Sequence, residues 1–325
     1  MNWLLTALSA SADPTRLRLL ALAASGAFCV NDFCEILGQS QPRLSRHLKL
    51  LSEAGFLTRA REGTNVWFTL AQGSHGRLAR DILGHLPEDE PLLEADLRGA
   101  ARVLAERARQ ATAEFTANGA DWDEMRALDL PADAVETRLL ALIGQIAPAA
   151  GFGRMLDIGT GTGRLLEILA PRIGEGLGID ASRAMLALAR VRLAKPEFSH
   201  ITVQLADMYA LPLTAQKYDL VVLHMVLHHA TDPEAVLREA RRVLAPGGRL
   251  VLVDLAAHND EQLAARYLHR QRGFSTEKMR AFLDGLGLRT TQTATIAAHY
   301  PVSIWCAVAD AAAMPVASIL EGVAL

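Results

Sequence analysis

The stretch GRMLDIGTGTGRLLEILAPRIGEGLGID, residues 153–180, decides the fold of the C-terminal half of the chain. The apolar residues at 155–158 predict a strand that runs into the glycine-rich turn 159–163. An amphipathic segment from Arg164 to Ala170 predicts a helix, and a second apolar strand, 176–179, ends on the carboxylate of Asp180. Together these segments predict one βαβ unit.

The turn has the pattern D-x-G-x-G-x-G, and its acid, Asp157, lies on the first strand itself. Glycines at alternate positions let the backbone turn sharply, so a ligand can lie on main-chain N–H groups at the start of the next helix. Asp180, at the tip of the second strand, can accept hydrogen bonds from a ribose diol. The pattern therefore predicts a nucleoside site.

This arrangement resembles the nucleoside-binding loop of class I S-adenosylmethionine (SAM) methyltransferases. The resemblance implies SAM as the cofactor and S-adenosylhomocysteine as product or effector. An NAD site, or a turn with a purely structural role, stays open as an alternative, although a pyrophosphate loop has no need of the first carboxylate. The cofactor-binding residues that the resemblance implies in this stretch are Asp157, Gly159, Thr160, Gly161, Gly163, Asp180 and Ala181.

The composition is that of a globular protein of two domains and a connector, with 325 residues of which half are hydrophobic. No run of 18 or more apolar residues occurs, and no basic segment precedes the first apolar residues, so neither a membrane span nor a secretory signal is predicted. Cys29, Cys34 and Cys306 are too few and too scattered for a disulfide framework. We expect a cytoplasmic protein with no membrane partner.

The formal net charge of −3 is unevenly distributed. Residues 1–72 carry seven basic and five acidic side chains. Residues 73–150 carry eight basic and fourteen acidic side chains, and residues 151–325 carry eighteen basic and seventeen acidic ones. The small basic excess of residues 1–72 does not by itself indicate nucleic-acid binding, so the positions of the charged side chains have to be considered.

The first seventy residues predict four helices followed by a hairpin. Asp13-Pro14 starts the second helix, with an acid at the cap and proline in the first turn. Cys29 to Leu37 is the third helix, and Ser40 caps the fourth, Gln41 to Ala54. Two strands, Phe56 to Ala60 and Val66 to Leu70, then form a wing.

Residues 10–70, with DPTR, SQPRLSRHLKLL and the wing segment GFLTRAR in that order, resemble the winged helix-turn-helix of ArsR-type transcriptional repressors. Polar and basic side chains at the exposed start of a second helix suit a major groove, where they reach base edges and phosphates. The partner that the resemblance implies is double-stranded operator DNA. The predicted DNA-binding residues are Ser40, Gln41, Arg43, Ser45, Arg46, His47, Lys49, Arg59 and Arg61.

Many proteins of that type carry a Cys-x-Cys on the third helix, whereas this chain has Cys29-Val30-Asn31 there. Cys34 does not replace the missing thiolate, because five positions along a helix rotate it by roughly 140°. We therefore predict two partly buried structural cysteines and no metal site, although a dimer partner could supply a further ligand.

Apolar residues every three to four positions predict helices through the alanine- and leucine-rich connector, residues 73–147. Repressors of the type resembled dimerise to match a two-fold operator, so we expect a homodimer. The predicted domains are therefore a winged helix-turn-helix, 1–72, a helical connector or dimerisation region, 73–147, and a methyltransferase-like domain, 148–325.

Beyond Asp180 the chain continues the methyltransferase pattern. The run VLHHATDPEAVLREARRVLAPGGRLVLVD resembles quinone-biosynthesis-type C-methyltransferases and their small-molecule relatives. The resemblance implies that Asp207 and Met208, after the third strand, face the adenine. His224 follows a near-continuous apolar strand, Tyr218 to Leu223, at the end where ligands bind in open α/β sheets.

His228 and His229 are candidate catalytic bases, needed only if the acceptor must lose a proton during methyl transfer. A packing role for the pair stays open. No carboxylate or third ligand lies at a recognisable spacing, so no metal site is predicted there. Arsenite methyltransferases use several cysteines near the acceptor pocket, whereas Cys306 is the single cysteine of this C-terminal domain, so the resemblance does not imply arsenite methylation.

The predicted fold is multidomain: an α+β winged helix-turn-helix, a helical connector and an α/β Rossmann-like domain with a mostly parallel seven-stranded sheet. The predicted function is a DNA-binding transcriptional regulator fused to a SAM-dependent methyltransferase of a small molecule. In the alternative, the C-terminal domain is a non-catalytic sensor in which SAM or S-adenosylhomocysteine controls operator binding.

Overall fold

The computed structural model describes residues 2–87, 89–117, 130–261, 263 and 269–310. Contacts divide the chain into two compact units, one of Met1–Asp123 with Thr160–Asp207 and one of Glu124–Gly159 with Met208–Leu325. The predicted division into three domains stays a prediction, and its residues 118–129 and 311–325 lie outside the described residues. Among the helices described, none has the length and apolar character needed to cross a membrane.

The N-terminal part of the first unit is a winged helix-turn-helix, as predicted. Asp13 caps its second helix, with Oδ1 accepting a hydrogen bond from Arg16 N at 3.0 Å, and Pro14 lies in the first turn. The three strands are ordered β1-β3-β2. The elements are α1 (Asn2–Ser11), α2 (Pro14–Ser25), β1 (Phe28–Cys29), α3 (Val30–Leu37), α4 (Gln41–Glu53), β2 (Leu57–Glu62) and β3 (Asn65–Leu70).

The connector is helical in its described residues, as its periodicity predicts. α5 (Gly73–Leu83) and α6 (Pro91–Ala117) belong to the first unit, and α7 (Ala132–Ile146) belongs to the second. Leu104 of α6 packs into the same core as the buried Phe33 and Leu48 of the winged domain. Ala79 of α5 lies in this core too, so the first two connector helices pack on the winged domain.

The C-terminal half contains the predicted seven-stranded sheet, in the order β6-β5-β4-β7-β8-β10-β9. The pairs β5–β6, β4–β7 and β7–β8 are parallel, and β10 is antiparallel to β8 and β9. The elements are β4 (Phe152–Ile158), α8 (Arg164–Leu169), β5 (Ile173–Asp180), α9 (Arg183–Arg192), β6 (Ile201–Leu205), β7 (Tyr218–His224), α10 (Pro233–Val243), β8 (Leu244–Leu255), α11 (Thr276–Gly285), β9 (Leu288–Ile296) and β10 (Val302–Ala309).

Several predicted boundaries are wrong by a few residues. α3 begins at Val30 rather than Cys29, because Cys29 pairs with Trp67 across β1 and β3. The wing strand β2 continues to Glu62 instead of stopping at Ala60. Ser40 does occupy the N-cap of α4, but its side chain accepts no cap hydrogen bond.

Candidate functional site

The glycine-rich turn enters the first unit at Thr160, whose backbone N–H donates to Ile179 O at 2.8 Å. Gly161 has φ +51, and a Cβ placed on it would meet nothing within 4 Å. Gly163, with φ +76, is the N-cap residue of α8, and a Cβ there would press on Ala189 at 3.2 Å. The turn is thus fixed on one side by packing and open at Gly161.

Asp180 is bound to this turn through its carboxylate. Its Oδ2 accepts a hydrogen bond from Gly161 N at 2.9 Å, and its Oδ1 accepts one from Ser182 N at 2.7 Å. Burial raises the pKa of Asp180, while these backbone donors act in the opposite direction. The backbone N–H of Ala181 also acts on this carboxylate. Because a carboxylate has about four acceptor sites, the group can accept at least one further hydrogen bond. Ala181, which follows it, is exposed.

In the second unit, the start of the turn is equally constrained. Asp157 is 1% exposed and lies opposite Val222 in the parallel β4–β7 pair. Gly159 has φ +73, and a Cβ on it would lie 2.4 Å from Val226 Cγ2. No side chain fits at Gly159, so glycine is required for both its conformation and its close approach to the loop after β7.

The predicted adenine-facing residues follow β6. The end of that strand is joined to β5 by the hydrogen bond from Ala206 N to Asp180 O at 3.1 Å. Asp207 is exposed and is the last residue of the first unit, whereas Met208 is half-buried in the second. Their contact with a nucleoside stays a prediction.

His224 ends β7 at the carboxyl edge of the sheet, as predicted, and burial lowers its pKa. Met225 follows with φ +54, a left-handed conformation that only one other non-glycine residue shares among those described. The backbone N–H of Met225 donates a hydrogen bond to Val253 O at 2.8 Å. Strained backbone of this kind concentrates at functional sites, which supports a functional role for this strand end.

The two candidate bases differ sharply in environment. His228 is fully buried, and its Nδ1 lies 2.7 Å from Oδ1 of Asp254, the residue near the end of β8. His229 is exposed, with its ring centroid 4.2 Å from that of His228. A catalytic role for either stays a prediction, but of the two only His229 presents its ring to solvent. Sequence reasoning missed Asp254, although its place at a parallel strand end is a usable signal.

The residues predicted to bind DNA lie on α4 and on the wing strand β2, and their role stays a prediction. His47 is the exception among them, because it is half-buried with Nδ1 3.9 Å from Oδ1 of Asp13, the cap of α2. Lys49 is exposed beside Glu53 at 3.8 Å. The remaining exposed members of the predicted set are Ser40, Gln41, Arg43, Ser45, Arg46, Arg59 and Arg61.

The wing also makes a buried contact that sequence reasoning missed. Glu62 and Arg190 of α9 form an ion pair, and each side chain is 3% exposed. Glu62 Oε1 also accepts a hydrogen bond from Leu205 N of the edge strand β6 at 3.2 Å. The Arg190 guanidinium lies 4.1 Å from the ring centroid of Trp67. The wing is therefore fixed to a helix and an edge strand of the Rossmann-like fold, within one compact unit.

A second cation extends this contact to the connector. Arg107 of α6 forms an ion pair with Asp32 and lies 4.6 Å from the ring centroid of Trp67. Asp32 accepts a hydrogen bond from the backbone N–H of Cys29, a thiol whose pKa is raised by burial. The predicted structural role of Cys29 therefore agrees with its surroundings.

Two parts of the chain match family models. Residues 13–59 match bacterial regulatory proteins of the arsR family, and residues 156–252 match a methyltransferase domain. These matches bear out both resemblances that the sequence motifs indicate.

Curated relatives cover parts of the chain. An uncharacterised 37.1 kDa protein in transposon TN4556 of Streptomyces fradiae is 42% identical over 30% of this chain and 28% of that protein. An arsenite methyltransferase of Aquipseudomonas alcaligenes is 35% identical over 37% of this chain and 38% of that protein. A ubiquinone/menaquinone biosynthesis C-methyltransferase of Syntrophotalea carbinolica is 37% identical over 39% of this chain and 54% of that protein.

The chain thus spans 28% to 54% of the length of these relatives. Together with the fold, the matches identify an arsR-family helix-turn-helix followed by a methyltransferase domain in this one chain.

Proposed function

We propose that the protein is a DNA-binding transcriptional regulator fused to a SAM-dependent methyltransferase that acts on a small molecule. The observation that carries the cofactor assignment is the arrangement of Asp180 beside Gly161, in which a partly buried carboxylate borders an open backbone surface. A ribose diol can donate to that carboxylate while the nucleoside lies on the turn.

The residues present fit SAM. Gly161 leaves room for a ligand against the main chain, and Gly159 brings the turn close to the loop after β7. Asp157, Thr160, Gly163, Ala181, Asp207, Met208 and His224 complete the proposed cofactor set.

When bound, SAM supplies an electrophilic methyl group on a sulfonium. The chain's own contribution is to hold the nucleoside through the turn and Asp180, and to orient the acceptor for in-line attack. His229 is exposed and can accept a proton from an acceptor, whereas His228 donates its Nδ1–H to Oδ1 of Asp254 and acts through positioning.

Arsenite is not the acceptor we propose. Cys306 is fully buried in β10, and burial raises its pKa to about 11, so this thiol is neither accessible nor ionised at neutral pH. The similarity to an arsenite methyltransferase therefore supports the fold and the cofactor rather than that substrate.

Operator binding is supported by the exposed polar face of α4 and by the alternation of β2. In a strand, successive side chains point to opposite faces, so Arg59 and Arg61 face solvent while Glu62 faces α9. The wing can therefore be anchored to the Rossmann-like fold and still present two arginines to DNA.

A homodimer is supported by an apolar face left exposed on α1. Leu4, Leu5 and Leu8, which lie within about 100° of one another around the helix, are 37%, 61% and 45% exposed, which is unusual for three large side chains on one ten-residue helix. A two-fold dimer would cover this face and place two α4 helices on successive major grooves.

The test combines operator binding and turnover on the full-length chain. DNA flanking the gene is titrated with wild type, Arg46→Ala, and Arg280→Ala as a control that removes an exposed arginine of α11. We expect Arg46→Ala alone to weaken binding. Labelled methyl transfer from SAM to a pool of small molecules then tests the enzyme. Equal DNA affinity of all three proteins would refute the proposed regulatory function. Absence of methyl transfer to any acceptor would refute the proposed enzymatic function.

A second function, a non-catalytic sensor, is favoured by the Glu62–Arg190 pair. Arg190 lies on α9, whose N-cap residue Ser182 donates its backbone N–H to Asp180. Eight residues of helix, about 12 Å, thus join the proposed ribose carboxylate to the wing. A nucleoside that moves the start of α9 would move the contact that positions the wing.

Thermodynamic reciprocity tests the sensor. If S-adenosylhomocysteine changes operator affinity, the operator must change the affinity for S-adenosylhomocysteine by the same factor. Titration of the ligand into free protein and into the operator complex, at one salt concentration, measures this factor. We expect dissociation constants that differ by more than about fivefold, and equal constants would mean that the two functions are only tethered.

A further inference from the structure

Three histidine side chains meet at the carboxyl ends of β7 and β8, in the second unit. The cluster comprises His228 and His229, in the short 3-10 turn after β7, and His269. One ring nitrogen of each lies within 4.8 Å of the others, and the ring centroids are 4.2, 4.4 and 5.4 Å apart. His269 is 40 residues beyond the pair, so no sequence spacing reveals the third ring.

Asp254 fixes the orientation of the innermost ring. Its Oδ1 lies 2.7 Å from Nδ1 of His228, while its Oδ2 accepts hydrogen bonds from Leu227 N and His228 N at 2.9 and 3.3 Å. The buried carboxylate therefore holds the proton on Nδ1 and leaves Nε2 of His228 as the nitrogen with a lone pair. A carboxylate in this position is the usual outer partner of a metal-bound imidazole.

The segment that carries His269 is attached to the same turn. Backbone N–H groups of Arg270 and Gln271 both donate to His228 O at 2.9 Å. The Gln271 side chain also donates to Ala230 O at 3.1 Å. These bonds hold the third ring beside the first two, so the cluster is built by the fold rather than by chance proximity of long surface side chains.

Three neutral imidazoles match the ligand preference of zinc and its neighbours among the divalent transition metals. With Zn–N bonds of 2.0–2.1 Å, the nitrogens of a tetrahedral site are about 3.4 Å apart. The ring nitrogens here lie within 4.8 Å of one another, so metal binding would bring them closer by up to about 1.4 Å. His229 is exposed, which provides an entry path for a cation. Three protein ligands leave a fourth coordination position open.

We propose that His228, His229 and His269 form a three-imidazole site for a divalent cation of the zinc class, with Asp254 orienting His228. The site goes beyond the proposed function and does not depend on it; with a cation bound, His229 would be a ligand and not a base. It also departs from the sequence-based expectation of no metal, which rested on the absence of a third ligand near the histidine pair.

The test is titration of tag-free, metal-stripped, full-length protein with Co²⁺, whose visible absorption reports its coordination. Wild type is expected to bind one equivalent with bands of four-coordinate nitrogen and oxygen ligation, which Zn²⁺ then abolishes. His229→Gln is expected to bind at least about tenfold more weakly. Because His229 is exposed, this variant tests binding without cost to the core. His299→Gln, at an exposed histidine outside the cluster, is the matched control and is expected to bind like wild type.

Two results would overturn the proposal. One is unchanged Co²⁺ affinity in His229→Gln, which would make the cluster a packing feature. The other is a thiolate-to-cobalt charge-transfer band in the near ultraviolet, which would assign the metal to cysteine. His269→Gln gives an independent check, since its metal affinity is expected to fall in the same way, and urea unfolding in chelator shows whether that variant retains its fold.

Discussion

Replacing Glu62 by glutamine should destabilise the first unit far more than a typical charge removal. The pair that Glu62 forms with Arg190 is almost fully buried, with 3% exposure on each side. Removing one partner of a buried pair leaves an uncompensated charge and costs about 3–5 kcal/mol. The amide oxygen introduced by Glu62→Gln could still accept from Leu205 N, so we expect a cost of about 3 kcal/mol, the lower end of that range.

The same helix offers a matched control. Arg192 pairs with Glu167 at 3.2 Å, but these side chains are 29% and 23% exposed. Glu167→Gln should therefore cost no more than about 1 kcal/mol. The free energies of unfolding of both variants are measured by urea unfolding of the full-length chain, monitored by circular dichroism and tryptophan fluorescence.

A double variant separates the ion pair from other effects. Glu62→Gln combined with Arg190→Met removes both charges, and replacing a buried pair by uncharged groups is often neutral, so the double variant should recover part of the stability lost by Glu62→Gln. If Glu62→Gln costs no more than Glu167→Gln, or if the double variant shows no coupling, the buried contact between wing and α9 does not exist in solution.

Three further predictions have defined outcomes. Arg46→Ala and Lys49→Ala should each reduce the slope of log operator affinity against log salt by about 1 if the side chain contacts phosphate, and should leave SAM affinity unchanged. Fluorescence anisotropy measures operator affinity. An unaltered slope together with an unaltered sequence preference would contradict the assignment of α4 as the DNA-binding helix. Gly159→Ala should abolish SAM binding in calorimetry, because a Cβ at φ +73 would lie 2.4 Å from a neighbouring side chain, and near-normal binding would contradict the close approach. Cys306, with its pKa raised to about 11, should be alkylated by iodoacetamide at pH 8 more slowly than the partly exposed Cys34, and mass spectrometry showing the reverse order would contradict its burial.

Local signals predicted most of the secondary structure. Asp13-Pro14 predicted the start of α2, and the bonded cap confirms it. The apolar run from Tyr218 predicted a central parallel strand, and Leu220 to Leu223 are at most 1% exposed. The predictions failed where tertiary pairing overrides local preference, as at Cys29, which joins a strand because Trp67 lies opposite.

The contacts between distant segments were beyond sequence reasoning. Glu62 and Arg190 are 128 residues apart and look like ordinary surface charges in their own strand and helix patterns. His269 is 40 residues beyond His229 and belongs to no recognisable motif with it, so nothing in the sequence joins it to His228. Single-sequence patterns report what one segment prefers, whereas these contacts depend on how several segments pack.

The central claim is that the glycine-rich turn and Asp180 bind the nucleoside of SAM, and calorimetric titration of S-adenosylhomocysteine tests it most directly. Wild type should bind one molecule per chain. Asp180→Ala, which leaves a ribose diol without its acceptor, should lose about 1–3 kcal/mol, or roughly 5- to 150-fold in affinity. Tighter binding of NAD than of S-adenosylhomocysteine, or an unchanged dissociation constant in Asp180→Ala, would contradict the account.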